Sequence, residues 1–221
     1  STLLKAVSRC LDSMLREVWP QQLGQQSVPE IWNTIHLAFR EIPEEVHLQF
    51  LNDDLVSFFN SLPQNRLLDA VHALIISWKE RHPGDLSISA DLSATGDPIQ
   101  STCAGTYKKS AYNIRSIKVD DLFIIVKASL TSHYFSALGS IWRKIRGAGI
   151  GSQISPTISN LAVTMVQRAW QHSFQAFFSQ KLLNFASIRY VDNRFAVLGS
   201  VIARSDPITI YSDPGFYGHP D

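Results

Sequence analysis

Three short segments of the sequence carry residues that could take part in metal or phosphate chemistry. Asp54 ends an alternating stretch, the glycines of residues 147–151 precede an apolar stretch, and Asp192 lies within the alternating residues 188–197. Carboxylate oxygens are the ligands that hard divalent cations prefer. Glycines before a helix N-terminus let an anion approach the backbone closely. Each segment also has a purely structural explanation, as a helix cap, a tight connection or a hairpin turn, so none identifies a function alone.

The elements that must position these residues are predicted from the periodicity of apolar side chains. Helices are predicted within residues 3–18, 29–39, 61–81 and 155–182, the last opening with Ser155 as N-cap and Pro156 at the first helical position. Strands are predicted at 46–54 and 121–130, and β-hairpins at 134–147 and 188–197. Residues 82–118 are rich in Gly, Ser, Thr and Pro, which indicates a loop or mobile insertion.

This order of elements predicts an α+β fold in which helices pack on one face of an antiparallel sheet. We expect a helical N-terminal region at 1–45, a main domain at 46–205 with an insertion at about 82–140, and an irregular tail at 206–221.

The composition indicates a globular protein but does not identify a binding partner. The 221 residues are 45% hydrophobic and carry a formal charge of +1, so the chain is globular and its global charge gives little support for nucleic-acid binding. Basic residues do cluster locally, at 107–118 and 143–146. The two cysteines lack disulfide or zinc spacing, and no apolar run approaches membrane-spanning length. A soluble protein in a reducing, intracellular setting is expected.

Taken in order, the three segments resemble motifs A, B and C of reverse transcriptases and the wider right-handed polymerase palm. The residues that match the first motif are Asp54, Phe58, Phe59, Ser61, Leu62 and Pro63. Those that match the second are Gly147, Gly151, Ser152, Ser155, Pro156, Asn160 and Leu161. Tyr190 and Asp192 match the third, the Y-x-D-D hairpin. The long gap between the first and second motifs resembles telomerase catalytic subunits and some mobile-element enzymes, and its length cannot choose between them.

The resemblance implies an RNA-directed DNA polymerase that uses an RNA template, a DNA primer and dNTPs. Asp54 and Asp192 would be catalytic and, with Asn193, would hold Mg²⁺ or Mn²⁺. Gly151, Ser152 and Gln153 would contact the nucleotide, and Phe59 resembles the steric gate that favours deoxynucleotides. Arg143, Lys144, Arg146 and Tyr190 would contact nucleic acid. The resemblance also implies a palm at 46–205 and partial fingers at 1–45, with no evident thumb, so further domains or protein subunits are expected.

The sequence departs from the family's pattern at two points. Gly149 and Ile150 stand where the family often has Pro-Gln, and Asn193 replaces the second aspartate of the third motif. An asparagine carbonyl oxygen can ligate a cation but lacks the negative charge, which should weaken metal affinity and favour manganese. Two alternatives therefore stay open: a catalytically impaired scaffold that binds nucleic acid or protein, and an RNA-directed RNA polymerase.

Overall fold

The computed structural model describes residues 2–20, 28–40, 47–54, 58–93, 102–105, 113–149, 151–181, 184–190 and 193–200. Its helices are α1 (Thr2–Val18), α2 (Val28–Ala38), α3 (Phe58–Ser61), α4 (Gln64–Arg81), α5 (Val119–Thr131) and α6 (Ser155–Lys181). Its strands are β1 (His47–Asp54), β2 (Ser87–Asp91), β3 (Thr102–Ala104), β4 (Ile114–Lys118), β5 (Tyr134–Ala137), β6 (Ser140–Arg143), β7 (Asn184–Tyr190) and β8 (Asn193–Ser200). The predicted α+β class with antiparallel sheets is confirmed.

These residues form two compact units, one within 1–21 and 57–162 and the other within 22–56 and 163–217. In the first unit, α1 presents an apolar stripe with helical spacing, in which Val7, Leu11 and Met14 are fully buried. It packs against α4, whose own stripe includes Leu67, Leu74 and Trp78, and against the antiparallel sheet of order β3-β2-β4. The hydrophobic core of this unit therefore joins the first helix to elements more than fifty residues later.

The second unit is built around a three-stranded antiparallel sheet of order β1-β8-β7. Strands β7 and β8 are joined through residues 191–192, and β1 is added on the outer side of β8 from a distant part of the sequence. Helix α2 packs against β7. None of the helices in the described ranges combines the length and apolar character needed to cross a bilayer.

The elements that periodicity marked most clearly are present. Helices α1, α2, α4 and α6, strand β1 and both hairpins lie where the sequence predicts them. In the first hairpin, Leu138 and Gly139 form the two-residue connection, and both have positive φ, at 52° and 75°. Positive φ at both positions is the pattern of a type I′ turn, whose twist matches that of the flanking strands.

The prediction of a loop over residues 82–118 is wrong, because this segment contains the whole β3-β2-β4 sheet. The central strand β2 reads Ser-Ile-Ser-Ala-Asp, and its three middle residues are all buried. The buried Ser89 hydroxyl donates a hydrogen bond to the Gly105 carbonyl oxygen, which satisfies it inside the sheet. Small and polar residues thus form a buried strand that composition alone marks as a turn-rich loop.

The prediction of a strand over residues 121–130 is also wrong, because these residues belong to helix α5. The apolar run Leu-Phe-Ile-Ile-Val suggested a strand, yet the buried positions Val119, Leu122, Val126 and Leu130 follow helical spacing. Asp120 and Asp121 lie in the first turn, where negative charge stabilises the partial positive charge of a helix N-terminus.

Candidate functional site

The sequence-predicted site residues fall into two groups, one in each compact unit. Asp54, Tyr190 and Asn193 belong to the β1-β8-β7 sheet of the second unit. The aromatic turn (residues 58–63), the glycine loop (147–153) and the basic hairpin (134–147) belong to the first unit. Asp192 and Ile150 lie outside the described residues.

Strand pairing in the second unit brings the first and third motifs to adjacent positions. Asp54 is directly opposite Asn193 on β8, and Asn193 is in turn opposite Tyr190 on β7. The three residues thus form one row across the sheet. Directly opposed Cα atoms in antiparallel strands are about 4.5 to 5.5 Å apart. Asp192 immediately precedes Asn193 in sequence, and Asn193 pairs with the last residue of β1.

The next row of the sheet contains Asp53, Arg194 and Arg189. Successive strand residues belong to opposite faces, so this row lies on the other face from Asp54, as the alternation of strand residues predicts for Asp53. Arg189 is buried, with 1% of its surface exposed. The register therefore assigns one acidic and two basic residues to this row.

The residues available for a divalent cation are oxygen donors from two strands. Among residues whose side chains the structure describes, no group of three or more His, Cys, Asp or Glu could hold a metal ion, and Asp54 and Asn193 are outside that set. A carboxylate and an amide oxygen from one row, with a second carboxylate next in sequence, are the ligand types that Mg²⁺ and Mn²⁺ accept. The donor set fits such an ion, and its occupation stays a prediction.

In the first unit, the aromatic turn of the first motif is bonded to the glycine loop of the second. The Gly147 N–H donates to the Leu62 carbonyl oxygen at 2.8 Å, and the Ala148 N–H donates to the Phe59 carbonyl oxygen at 2.9 Å. Phe59 is half-buried in the single turn of α3. Pro63 and Arg146 complete the junction as an isolated antiparallel bridge. Sequence reasoning treated these two motifs separately and did not predict that they bind each other.

Two glycines of the loop allow the close packing at this junction. Gly147 has φ +72°, and a Cβ atom there would overlap the Phe59 carbonyl oxygen. A Cβ on Gly149 would overlap the His133 ring. Both glycines are thus required by close approach of protein to protein. Gly151, with φ +85°, differs because a Cβ there would meet no atom within 4 Å, which leaves space beside its backbone.

The serines of the second motif have different partners. Ser155 was predicted as an N-cap, but it is the first residue of α6 and its hydroxyl donates to the Gly149 carbonyl oxygen at 2.6 Å. It therefore fastens the loop to the helix. The Ser152 Oγ is buried and has no hydrogen-bond partner within the part of the chain that the structure describes. Gln153 is exposed.

The three basic residues of the hairpin are not equivalent. Arg143 and Arg146 are exposed. The Lys144 ammonium instead donates to Asn60 Oδ1 at 2.7 Å and to the Ala148 carbonyl oxygen at 3.3 Å. Partial burial lowers the pKa of Lys144. Its contacts give Lys144 a structural role at the junction, and nucleic-acid contact by any of the three stays a prediction.

Comparison with known proteins finds similarity in structure and none in sequence. The chain is similar to telomerase from Candida albicans in complex with the TWJ fragment of telomeric RNA, with a TM-score of 0.63, 16% identity and 89% of this chain covered. It is also similar to apo telomerase from Candida tropicalis, with a TM-score of 0.58, 11% identity and 87% of this chain covered. The match spans only 30% of the length of each of those proteins. No protein-family model and no curated protein matches the sequence.

These similarities show that the chain shares the fold of one part of those telomerases. The resemblance to reverse transcriptases is thereby supported at the level of the fold, since telomerase is one of the enzyme types that the motif spacing indicates.

Proposed function

We propose that this chain is the palm of an RNA-directed DNA polymerase of telomerase-like type, which transfers nucleotides to a primer 3′-hydroxyl with the help of two divalent cations. The observation that carries the proposal is the register of β1 with β8, which sets Asp54 opposite Asn193, the residue that follows Asp192 in sequence. The telomerase-like fold supports the same reading.

In this mechanism, Asp54 and Asp192 would hold Mg²⁺ or Mn²⁺, and the Asn193 carbonyl oxygen would be a third, neutral ligand. When bound, the cations would supply the positive charge that activates a 3′-hydroxyl and balances the charge on a leaving phosphate. In this proposal, Asp54 at the end of β1 and Asp192, next to β8 in sequence, would hold these charges before the substrate arrives. Preorganised charge of this kind costs no rearrangement during the reaction.

The motif resemblance assigns nucleotide contacts to Phe59, Gly151, Ser152 and Gln153. The open space beside Gly151 lets a substrate approach the backbone, whereas the buried Ser152 hydroxyl would have to become exposed before it could donate to a phosphate or base. Gln153 is exposed and can contact the nucleotide or the template. The Phe59 ring gives a ribose 2′-hydroxyl no hydrogen-bond partner, so deoxynucleotides are the favoured substrate. Arg143, Arg146 and Tyr190 contact the RNA template or the DNA primer.

Two measurements test the proposal. The first is Mn²⁺ binding, followed by electron paramagnetic resonance, in the unmodified chain and in Asp192→Ala. We expect weaker binding in the variant, while the matched control Asp53→Ala, one row away on the opposite face, binds as before. The second is extension of a labelled DNA primer on an RNA template with dNTPs. Unchanged Mn²⁺ binding in Asp192→Ala, or full extension by that variant, would falsify the proposal.

Sugar selection separates the DNA polymerase from an RNA-directed RNA polymerase. Extension reactions supplied with dNTPs or NTPs should favour dNTPs, and Phe59→Ala should admit NTPs by removing the ring. A native preference for NTPs would assign the chain to the RNA polymerase class instead.

The position of Asn193 favours a second candidate function, a scaffold of the same fold that has lost catalysis. Asn193 is the residue directly opposite Asp54, so the missing charge falls in the row proposed to hold the cations. Asn193→Asp decides between the two. A large gain in Mn²⁺ affinity together with newly acquired primer extension indicates a lapsed enzyme, whereas little change in an already active chain indicates a native site with two aspartates.

A further inference from the structure

The hairpin formed by β5 and β6, residues 134–143, exposes an unusual amount of aromatic and aliphatic surface. Tyr134 is 59% exposed, Phe135 49%, Ile141 80% and Trp142 52%. Leu138, at the turn, is fully exposed. Large apolar side chains that cluster at the surface in this way usually mark a binding site.

The two faces of this hairpin differ, as the strand register shows. Phe135 is directly opposite Trp142, so the two rings lie side by side on one face. Tyr134 and Arg143 form the corresponding pair on the other face, which also carries Ile141. The Trp142 Nε1–H donates to the Ala137 carbonyl oxygen at 3.2 Å. This bond satisfies the polar edge of the indole and fixes its orientation, while half of its surface remains accessible.

The base of the hairpin is held in place although its rings are exposed. The Lys144 N–H donates to the His133 carbonyl oxygen at 2.9 Å, which extends the strand pairing by one step. The Lys144 ammonium binds Asn60, and the Gln64 amide donates to the Lys144 carbonyl oxygen at 3.3 Å. Because the base is anchored to α3 and α4, the aromatic pair belongs to a positioned surface.

Charge in this part of the sequence is strongly one-sided. The whole chain has 20 Lys and Arg against 19 Asp and Glu. Residues 122–191 nevertheless contain seven Lys and Arg and no Asp or Glu at all. Arg143 and Arg146 are exposed at or next to the hairpin. No Asp or Glu lies within this stretch of sequence, so the hairpin and the residues next to it, 134–146, carry only positive charge, which favours a polyanion as the partner.

We propose that the hairpin is a stacking platform for a single-stranded nucleic acid, in which Trp142 and Phe135 stack on unpaired bases and Arg146, next to the hairpin, contacts the backbone phosphates. Exposed aromatic rings beside cations are the combination that binds single strands without reading their sequence. Bases within a duplex already stack on each other and leave no face for the rings. Carboxylates next to the rings would repel a polyanion but would not repel an apolar protein surface. The absence of Asp and Glu from this stretch of sequence therefore favours a polyanion over an apolar protein partner.

This inference rests on the proposed function, since a templated polymerase must also hold strand that is not yet paired, but it is tested without catalysis. Fluorescence anisotropy measures binding of labelled dT₁₅ and rU₁₅ to the chain, with EDTA present and no nucleotide. We expect Trp142→Ala to weaken binding by roughly 5- to 100-fold, the range for loss of one base–aromatic stack. Trp142→Phe keeps an aromatic face and should stay within about threefold of the unmodified chain. The oligonucleotide that binds more tightly identifies the strand.

Ile141→Ala is the matched control, because Ile141 is more exposed than Trp142 and apolar but lies on the other face and has no π system. It should change affinity less than about twofold. Arg146→Gln should reduce the magnitude of the slope of log K against log salt by about 0.7, the value for one single-strand phosphate contact. Phe135→Ala provides a second aromatic deletion if Trp142→Ala fails to fold.

Three results would overturn the platform. The first is unchanged affinity in both aromatic deletions, and the second is equal loss in Trp142→Ala and Ile141→Ala, which would indicate a general apolar effect. The third is a change in sedimentation coefficient of Trp142→Ala without loss of oligonucleotide binding, which would show that the rings join two copies of the chain. Because no metal is present, failure here leaves the metal-dependent transfer reaction untouched, and failure of primer extension leaves the platform untouched.

Discussion

The described residues include two hairpins with two-residue connections, β5–β6 and β7–β8, and the two differ in the strands and side chains that hold them. The hairpin β5–β6 remains a two-stranded sheet, exposes its rings and carries only basic charge. The hairpin β7–β8 gains a third strand, β1, on its outer side, and its connection contains Asp192. An isolated two-stranded ribbon is marginally stable unless something fixes it. The first hairpin is fixed at its base, by side-chain and backbone hydrogen bonds to residues 59–64, whereas the second is fixed along its length by backbone pairing with β1.

This difference separates two ways of building a site. Backbone pairing holds β1 and β8 in a single register, since a slip of one residue would move every side chain to the other face. Such a register suits carboxylates that must converge on one point. The first hairpin leaves its surface open, which suits contacts with a flexible partner that need no fixed point.

The largest expected effect comes from replacing Asp54, the carboxylate on the strand that pairs with the second hairpin. This change leaves the first hairpin intact. Asp54→Asn should lower kcat for primer extension by about 10²- to 10⁴-fold, because a metal ligand supplies several kcal/mol in the transition state. Arg143→Gln should instead raise the KM for primer and template by less than about tenfold with kcat retained. Steady-state kinetics separates the two, and equal losses of kcat in both variants would erase the distinction between the hairpins.

The next largest effect is expected at Gly147, at the base of the first hairpin. Gly139, at the tip of the same hairpin, provides the comparison. Gly147→Ala should reduce the free energy of unfolding by about 2 to 4 kcal/mol, since it combines positive-φ strain with overlap against the Phe59 carbonyl oxygen. Gly139→Ala, with φ +75° and no atom within 4 Å, should cost about 1 kcal/mol from φ alone. Urea denaturation measures both, and similar costs would mean that the base is not the fixed end.

A third prediction concerns α6, the helix between the two hairpins. The Thr157 hydroxyl in its first turn donates to Asp12 of α1 at 3.1 Å and lies 2.7 Å from the Ser8 hydroxyl. Burial, the dominant cause, raises the pKa of Asp12 from 3.8 to about 6, against a smaller opposing effect of the Thr157 hydrogen bond and of Arg16. The folded state therefore binds the Asp12 proton more tightly than the unfolded state does.

Because the pKa of Asp12 is higher in the folded state than in the unfolded state, the stability that Asp12 contributes is fully present below about pH 3.8. It is lost as the pH rises through about 6. Asp12→Asn removes the titration and should be more stable than the unmodified chain at pH 7.5 by roughly 1 to 3 kcal/mol, a gap that closes as the pH falls toward 4. Thermal unfolding at several pH values measures the gap. A gap independent of pH would show that Asp12 does not titrate between the two states.

The smallest expected effect is at the turn of the first hairpin. Leu138 has φ +52° and is fully exposed, an arrangement that costs a leucine free energy without compensating burial. Leu138→Asn should raise the free energy of unfolding by about 0.5 to 1 kcal/mol, because Asn-Gly is the favoured pair in type I′ turns. The same variant should bind oligonucleotides as before, since the leucine has no aromatic face, and a large loss of binding would place the nucleic acid at the turn.

Local sequence determined much of this protein. Apolar residues at helical spacing determined α1, α4 and α6, alternation determined β1 and the two hairpins, and the motif residues indicated the fold that the telomerase comparison supports. These signals act between near neighbours, through side-chain periodicity and turn geometry, and can be read directly.

Tertiary structure decided the rest. Whether residues 121–130 became a helix, and whether the serine-rich segment at 87–91 became a buried strand, depended on the surfaces that cover them. Tertiary structure also decided three further contacts. These are the hydrogen bonds between the aromatic turn and the glycine loop, the hydrogen bond from the Lys144 ammonium to Asn60, and the strand pairing of Asp54 with Asn193. Each of these is a contact between residues far apart in sequence, and its free energy depends on burial and partners that exist only after the chain has folded.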